Sequence, residues 1–290
     1  MEIVLGDGLP YHTAPVLSSW KSVQSNIAFI GGGNMAAAMI GGLIAAGHAP
    51  ARLRVAEPNA ERAEWLHQQF GIKAQDSAAK VIAGAQAVVL AVKPQQMGEA
   101  LSGLHLDADT TVVSIAAGVR LSSLRGWLGD AVHLVRCMPN TPALYQKGIT
   151  GLFTPASTPA SARALAETLL KAAGQTCWLE QEADLDAVTA LSGSGPAYFF
   201  LLTEALREAG VKLGLSPQVA ARLAQQTFIG AAEMADKTGV DVATLRAQVT
   251  SKGGTTEAAI KSLETDGIRA IFERALTAAA VRSKELGEKK

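Results

Sequence analysis

One stretch constrains the fold of this chain more than any other. It is Ile27-Ala-Phe-Ile30, then Gly31-x-Gly33-x-x-Ala36, then an Ala- and Ile-rich run to about Ala46. Four apolar residues in a row read as a buried strand. The run from Met35 reads as a helix, and Gly47 is its natural stop. A G-x-G-x-x-A turn between a strand and a helix is the fingerprint of a dinucleotide-binding unit. The first glycine permits the tight turn. The second lets the backbone come close to a pyrophosphate. The third position must be small so that helix and strand can pack, and Ala36 meets that need. The free N–H groups and the dipole of the helix N-terminus then hold the phosphates.

More strands follow in the same manner. Leu53–Ala56 reads as a second strand, Ala87–Val92 as a strongly apolar third, Thr111–Ile115 as a fourth and Val132–Arg136 as a fifth. Asn59 to Gln69 reads as a helix ended by Gly71. Strands alternating with helices predict an α/β Rossmann-type domain with a parallel sheet covered on both faces. After about Glu180 the pattern changes to long helical stretches. Ser216-Pro217 is a cap followed by a first-turn proline, predicting a helix to about Thr238 with Gly239 as its stop. Asp241 can cap the next, shorter helix. The last, from about Ile268 to Leu286, places Ile268, Ile271, Phe272, Ala275 and Leu276 on one stripe. The expected division is an N-terminal extension over 1–25, disordered or added, a dinucleotide-binding domain over 26–182 and an all-helical C-terminal domain over 183–290. Such an exposed helical half buries more surface by pairing with another copy, so a homodimer is expected.

Composition narrows the function. Lys plus Arg and Asp plus Glu each number 26, which gives no broad positive field for nucleic acid. Cys137 and Cys177 have no partner motif, so no metal site is expected and a reducing compartment is. No apolar run reaches membrane-spanning length. The first residues lack the basic start and apolar block of a secretory signal. A cytoplasmic protein follows by default.

Several segments read as site loops. Glu57 ends the second strand, where an acid commonly bonds the adenosine ribose hydroxyls. A carboxylate there repels a 2′-phosphate and favours NADH, whereas nearby Arg62 offers a phosphate partner instead. Ala91-Val-Lys93-Pro94 and Ser114-Ile-Ala116-Ala117-Gly118 end strands at their carboxyl edge, where ligands bind in open α/β sheets. Met138-Pro-Asn140-Thr141-Pro142 follows a further strand, and each of these three is also an ordinary turn sequence. Leu191-Ser-Gly-Ser-Gly-Pro-Ala-Tyr198 reads as an interruption between helical stretches, serving a site, close packing or both. Val249 to Ala259 holds two glycines and four hydroxyl residues just before a helix. Backbone N–H groups around Ser251, Gly253, Gly254, Thr255 and Thr256 can form an anion nest suited to a small carboxylate, or the threonines can simply cap the helix.

These strings, in order and spacing, resemble pyrroline-5-carboxylate reductase. The most specific are Ala187-Val-Thr-Ala-Leu-Ser-Gly-Ser-Gly-Pro-Ala-Tyr198 and Val249 to Ile260. Ala91–Pro94, Ser114–Gly118 and Arg136–Pro142 match too, and the likeness runs from about Asn26 to Leu286. The resemblance implies reduction of L-1-pyrroline-5-carboxylate to L-proline by hydride from NADPH or NADH. It places Ile30, Gly31, Gly32, Gly33, Asn34 and Met35 against the cofactor, together with Ala91, Val92, Lys93, Pro94, Ala116, Ala117 and Gly118. It places Ser251, Gly254, Thr255 and Thr256 on the substrate. It also implies dimers, often assembled into decamers of five, with a partner's helical elements completing each site. The acid at Glu57 departs from the family habit of a small hydroxyl residue that accepts the 2′-phosphate. The asparagine that some members place near Ser77 and Ala78 is missing, and residues 1–25 fall outside the pattern.

Hydride transfer to a carbon–nitrogen double bond needs placement rather than a nucleophile or metal. A hydrogen bond at the imine nitrogen makes it a better acceptor, and Thr256 is the candidate catalytic residue because a hydroxyl both donates and accepts. All five histidines lie at or before His133, outside the helical half. A hydroxyacid-type dehydrogenase would need a buried lysine in that half, and Lys212, Lys237, Lys252 and Lys261 do not sit in apolar surroundings. A nucleotide-sensing module would keep the Gly31 fingerprint without the Thr250 to Thr256 turn.

Overall fold

A computed structural model describes residues 25–288. The extension expected over 1–25 lies, except for Ser25, outside them. Among the described residues seven strands are present: β1 Ile27–Ile30, β2 Leu53–Ala56, β3 Ala87–Leu90, β4 Thr111–Ser114, β5 His133–Met138, β6 Gly148–Phe153 and β7 Gly174–Trp178. The helices are α1 Asn34–Ala45, α2 Ala60–Phe70, α3 Ala79–Ile82, α4 Met97–Leu101, α5 Leu121–Leu128, α6 Ala160–Lys171 and α7 Asp184–Val188. They continue as α8 Gly195–Lys212, α9 Pro217–Thr238, α10 Val242–Gln248, α11 Thr255–Thr265 and α12 Ile268–Glu288.

One sheet runs in the order β2-β1-β3-β4-β5-β6-β7. The first five strands are parallel. Their sequences are near-continuous apolar runs because both faces are covered. Alternation in β1 shows how: Ile27 and Phe29 enter one core with α1, while Ala28 and Ile30 enter the other with Val88 and Leu90. Two strands absent from the sequence expectation extend this sheet. β6 runs antiparallel to β5, and β7 parallel to β6. Their sequences, Gly-Ile-Thr-Gly-Leu-Phe and Gly-Gln-Thr-Cys-Trp, begin with glycine and carry little apolar periodicity. The helix α1 lies tightly on this extension, since a Cβ at Gly42 would come within 1.9 Å of the Ala172 carbonyl oxygen.

Local signals place the helix ends. Asn59 caps α2 by accepting from the Arg62 N–H, and Gly71 ends it at φ 70°. Ser216 accepts from Val219 N–H at the start of α9, with Pro217 in the first turn and left-handed Gly239 at the end. Asp241 accepts from the Ala243 and Thr244 N–H groups to start α10.

The expected interruption in the Ser/Gly segment is short. A π-helical turn over Thr189–Gly193 is closed by Ser194 N–H to the Thr189 carbonyl at 2.8 Å, Ser194 forms a bend, and α8 begins at Gly195. A π turn absorbs an extra residue without leaving the helix. A Cβ on Gly193 would lie 2.7 Å from Met138 Cε, so the methionine would have to swing aside.

The chain packs as two compact units. One is Ala197–Phe272, all helical; the other holds the sheet up to Pro196 and the chain from Glu273 onward. Among the described residues no helix is long and apolar enough to cross a membrane.

Candidate active site

The parallel register brings four strand ends to one edge. Ile30 pairs with Ala56 and Leu90, and Leu90 with Ser114, so Gly31, Glu57, Ala91 and Ile115 begin their loops side by side. The strand order 2-1-3-4 reverses between β1 and β3, and a crevice at such a switch point is where open α/β sheets bind ligands. The residues expected at the cofactor, Ile30–Met35, Ala91–Pro94 and Ala116–Gly118, all flank this edge.

The glycine turn has the shape that a dinucleotide requires. Gly31 is left-handed at φ 100°, and a Cβ on it would lie 2.8 Å from the Ala91 carbonyl carbon and oxygen. Only glycine fits there. Gly33 is the opposite case: it is exposed, and a Cβ would meet nothing within 4 Å. It is also the N-cap of α1, with no side-chain cap and no acid in the first turn. First-turn N–H groups have no intrahelical acceptor, so this helix end offers its amides and dipole to an anion. The residues present therefore fit the pyrophosphate of a dinucleotide.

Glu57 and Arg62 both fold back onto the turn. The Glu57 carboxylate accepts from Gly32 N–H at 2.9 Å and Asn59 N–H at 3.0 Å. Arg62 donates from Nε to the Gly32 carbonyl at 2.6 Å and lies over the Trp65 ring at 4.0 Å. Its Nη2 is buried with no hydrogen-bond partner. The sequence marks Arg62 as a phosphate partner but gives no sign that it stacks beneath the turn. The only signal is Trp65 at i+3 on the same helix face.

The other loops divide by role. Ala117 is half-buried in the loop after β4 and Lys93 is exposed after β3. Ser114, fully buried just before the first of these loops, has a hydroxyl without a partner. Asn140, by contrast, is committed to the fold. Its amide nitrogen donates to the Ser192 carbonyl at 3.2 Å, and its oxygen accepts from Ile149 N–H at 2.9 Å. It joins the loop after β5 to the π turn.

The Gly–Thr segment belongs to the unit Ala197–Phe272. Gly254, not a threonine, is the N-cap of α11, and no side chain caps that helix. Gly253 is left-handed at φ 74°. Two of the expected nest donors are already used, since Gly253 N–H donates to Glu257 at 2.6 Å and Gly254 N–H to the Ser251 carbonyl at 3.0 Å. The remaining first-turn amides are those of Thr255, Thr256 and Glu257, with the Thr256 side chain half-buried beside them. A Cβ on Gly254 would lie 2.6 Å from Ser251 Oγ, so the serine hydroxyl would have to turn aside. A cavity of about 590 Å³ adjoins this turn, lined by Thr250, Gly253, Gly254, Glu257 and Lys261 among others.

Comparison with known proteins bears on both halves. Residues 182–286 match the family model for pyrroline-5-carboxylate reductase dimerisation. Residues 26–118 match that for NADP oxidoreductase, coenzyme F420-dependent. The pyrroline-5-carboxylate reductase of Pseudomonas aeruginosa is 51% identical over 264 residues, covering 90% of this chain and 97% of that one. The chain belongs to the pyrroline-5-carboxylate reductase family. The Escherichia coli reductase is 38% identical over 269 residues, covering 92% and 100%. Among solved structures, the reductase from Coxiella burnetii superposes with a TM-score of 0.83 at 42% identity, covering 91% of this chain and 99% of that one. The Plasmodium falciparum enzyme, solved with NADP bound, gives 0.77 at 28% identity, covering 91% and 98%. Membership extends across both compact units, so the glycine turn and the Gly–Thr turn belong to one reductase chain.

Proposed function

We propose that this chain reduces L-1-pyrroline-5-carboxylate to L-proline. The observation that carries the reading is the open, uncapped N-terminus of α1 behind Gly33, in a chain matching the family along nearly its whole length. When bound, NADPH or NADH supplies the hydride. Ile30, Gly31, Gly32, Gly33, Asn34 and Met35 hold the pyrophosphate end, with Glu57 at the adenosine ribose. Ala91, Val92, Lys93, Pro94, Ala116, Ala117 and Gly118 line the rest of the edge, where small side chains leave room for a flat ring. The charge of Glu57 opposes a 2′-phosphate and that of Arg62 attracts one, and titration with both cofactors measures the balance.

Substrate binding is assigned to Ser251, Gly253, Gly254, Thr255 and Thr256. The amides of Thr255 and Thr256 receive the carboxylate, with the dipole of α11 behind them. Gly253 and Gly254 set the turn rather than donate. The Thr256 hydroxyl donates to the ring nitrogen and fixes which face of the imine is presented. That bond strengthens as hydride attack at carbon pushes the double-bond electrons onto nitrogen, which then takes a proton from water, so it favours the transition state over the bound substrate.

The protein acts as a homodimer, and five dimers form a decamer. Support comes from the match over 182–286 and from large apolar side chains exposed in the lone chain. Phe199, Phe200, Leu201 and Leu223 are 54%, 63%, 65% and 53% exposed, and exposed large apolar side chains in such numbers mark an interaction surface. In the other unit, an apolar groove of about 700 Å³ has Trp178, Val188, Leu191, Leu276 and Ala280 in its wall. Dimerisation is the proposed means of bringing hydride donor and acid-binding turn to one centre. The cytoplasm is the proposed setting. A crystal soaked with cofactor and a proline analogue tests the assignment. The analogue's carboxylate is expected on the Thr255 and Thr256 amides, and density for it elsewhere would overturn these roles.

A further inference from the structure

The loop Ile115–Arg120 carries Ala116 to Gly118, and it is held from behind by the end of the last helix. A Cβ on Gly118 would lie 3.2 Å from the Leu286 carbonyl carbon and from Gly287 N, and one on Gly287 would lie 3.0 Å from the Gly118 oxygen. Backbone meets backbone there, and glycine on both sides permits it. Gly118 is also left-handed, at φ 73°.

A buried polar network fastens the same contact. Arg120 Nη2 donates to Asp186 Oδ2 at 2.7 Å, and Ser283 Oγ donates to Asp186 Oδ1 at 2.7 Å. Asp186 and Ser283 are only 8% and 4% exposed, so neither has water as a ready substitute. One turn earlier on α7's approach, the Glu182 carboxylate accepts from Leu121 N–H at 2.8 Å and from Arg136 Nη1 at 3.0 Å. Thus the loop's exit residues, Arg120 and Leu121, are each tied to a carboxylate, and α12 is tied to one of those two.

We infer that the last two turns of α12 are a positioning element for the cofactor loop, with Asp186 and Ser283 as its positioning residues and the Gly118–Gly287 contact as its fulcrum. This rests on the reading that Ala116–Gly118 lines the dinucleotide site. The loop's small side chains give it no grip of its own on a ligand, so its contribution depends on where its backbone stands. A shift of about 1 Å in a placing element is enough to cost large factors in rate. The Ser283 hydroxyl bonds to Asp186, which is not among the proposed cofactor residues, so it is a handle on position.

The test is equilibrium binding of NADPH and NADH to the intact protein, with thermal melting of the ligand-free protein and a split of the Michaelis constants. Ser283→Ala is expected to weaken cofactor binding about fivefold, and Gly287→Val about tenfold or more, while KM for the imine stays within about twofold. Ser283→Thr, which keeps the hydroxyl, is expected to restore binding. A purely structural role predicts lowered melting in Ser283→Ala with cofactor affinity unchanged, and that result would overturn the inference even if Gly287→Val failed to fold. Ala117→Leu, placed in the loop itself, guards the underlying reading. If it binds cofactor normally, the loop is not a cofactor surface and both readings fall. If it binds poorly while Ser283→Ala binds normally, only the positioning role fails.

Discussion

Replacing Gly33 by alanine separates the ligand role of the glycine turn from its structural role. Gly33 sits at φ −64° and ψ −176°, which any residue adopts, and a Cβ there meets no protein atom within 4 Å. Alanine is a poorer N-cap than glycine, by roughly 1 kcal/mol. Against this, removing a glycine from the unfolded chain returns about 0.4–1 kcal/mol. The two nearly cancel, so the ligand-free melting temperature is expected to move by no more than about 2–4 °C. The cofactor sees a different change. A methyl group would stand where the backbone must approach the pyrophosphate, and losing that approach is expected to cost at least about 1.4 kcal/mol, a tenfold rise in Kd. The assay is fluorescence titration with NADPH and NADH, with melts on the same preparation. Gly31→Ala is the contrasting variant: at φ 100° and 2.8 Å from the Ala91 backbone it should lower the melt itself. An unchanged Kd in Gly33→Ala would refute the placement of the pyrophosphate at this helix end.

Other outcomes follow from the same structure. Thr256→Ala is expected to lower kcat/KM by about tenfold or more, equal to about 1.4 kcal/mol, with Thr256→Ser retaining most activity; unchanged kinetics in Thr256→Ala would remove it from the mechanism. Gly42→Ala should destabilise the fold by about 1–3 kcal/mol, because the added methyl would strike the Ala172 carbonyl 1.9 Å away and α1 must move; thermal melting checks it. Burial pushes the Cys137 thiol well above its ordinary pKa, whereas Cys177 is exposed. An alkylating reagent near neutral pH should therefore modify Cys177 in the native protein and Cys137 only after unfolding, as peptide mass analysis would show.

Parallel strands buried on both faces announce themselves, which is why β1 to β5 are legible: Ile-Ala-Phe-Ile and Ala-Val-Val-Leu have little else to be. Strands β6 and β7 are not, because Gly148, Gly151 and Gly174 dilute the apolar signal. Their glycines answer to packing that sequence does not display, such as Gly174 pressed within 2.0 Å of the Gly148 oxygen were it to carry a Cβ. The helix-start rules find the caps of α9 and α10, since Ser and Asp act locally. They find the interruption within Leu191–Tyr198 but not the π turn over Thr189–Gly193 that leads into it, because a π turn leaves no local signature of its own. In the site, the glycine turn is legible in full. The Gly–Thr turn is legible only as a set of donors; that Glu257 and Ser251 consume two of them depends on how the side chain and the turn close in space. The support of the β4 loop by Ser283 and Gly287 is invisible, because residues so far along the chain cannot be paired with that loop from one sequence.

Turnover with product identification tests the central claim most directly. Purified protein, L-1-pyrroline-5-carboxylate and reduced cofactor, NADPH and NADH in separate reactions, are followed by nicotinamide absorbance and by chiral analysis of the amino acid formed. Cofactor should be oxidised one for one with the appearance of L-proline, in at least one of the two reactions. No imine-dependent oxidation with either cofactor, from protein shown to be folded and to bind dinucleotide, would contradict the account.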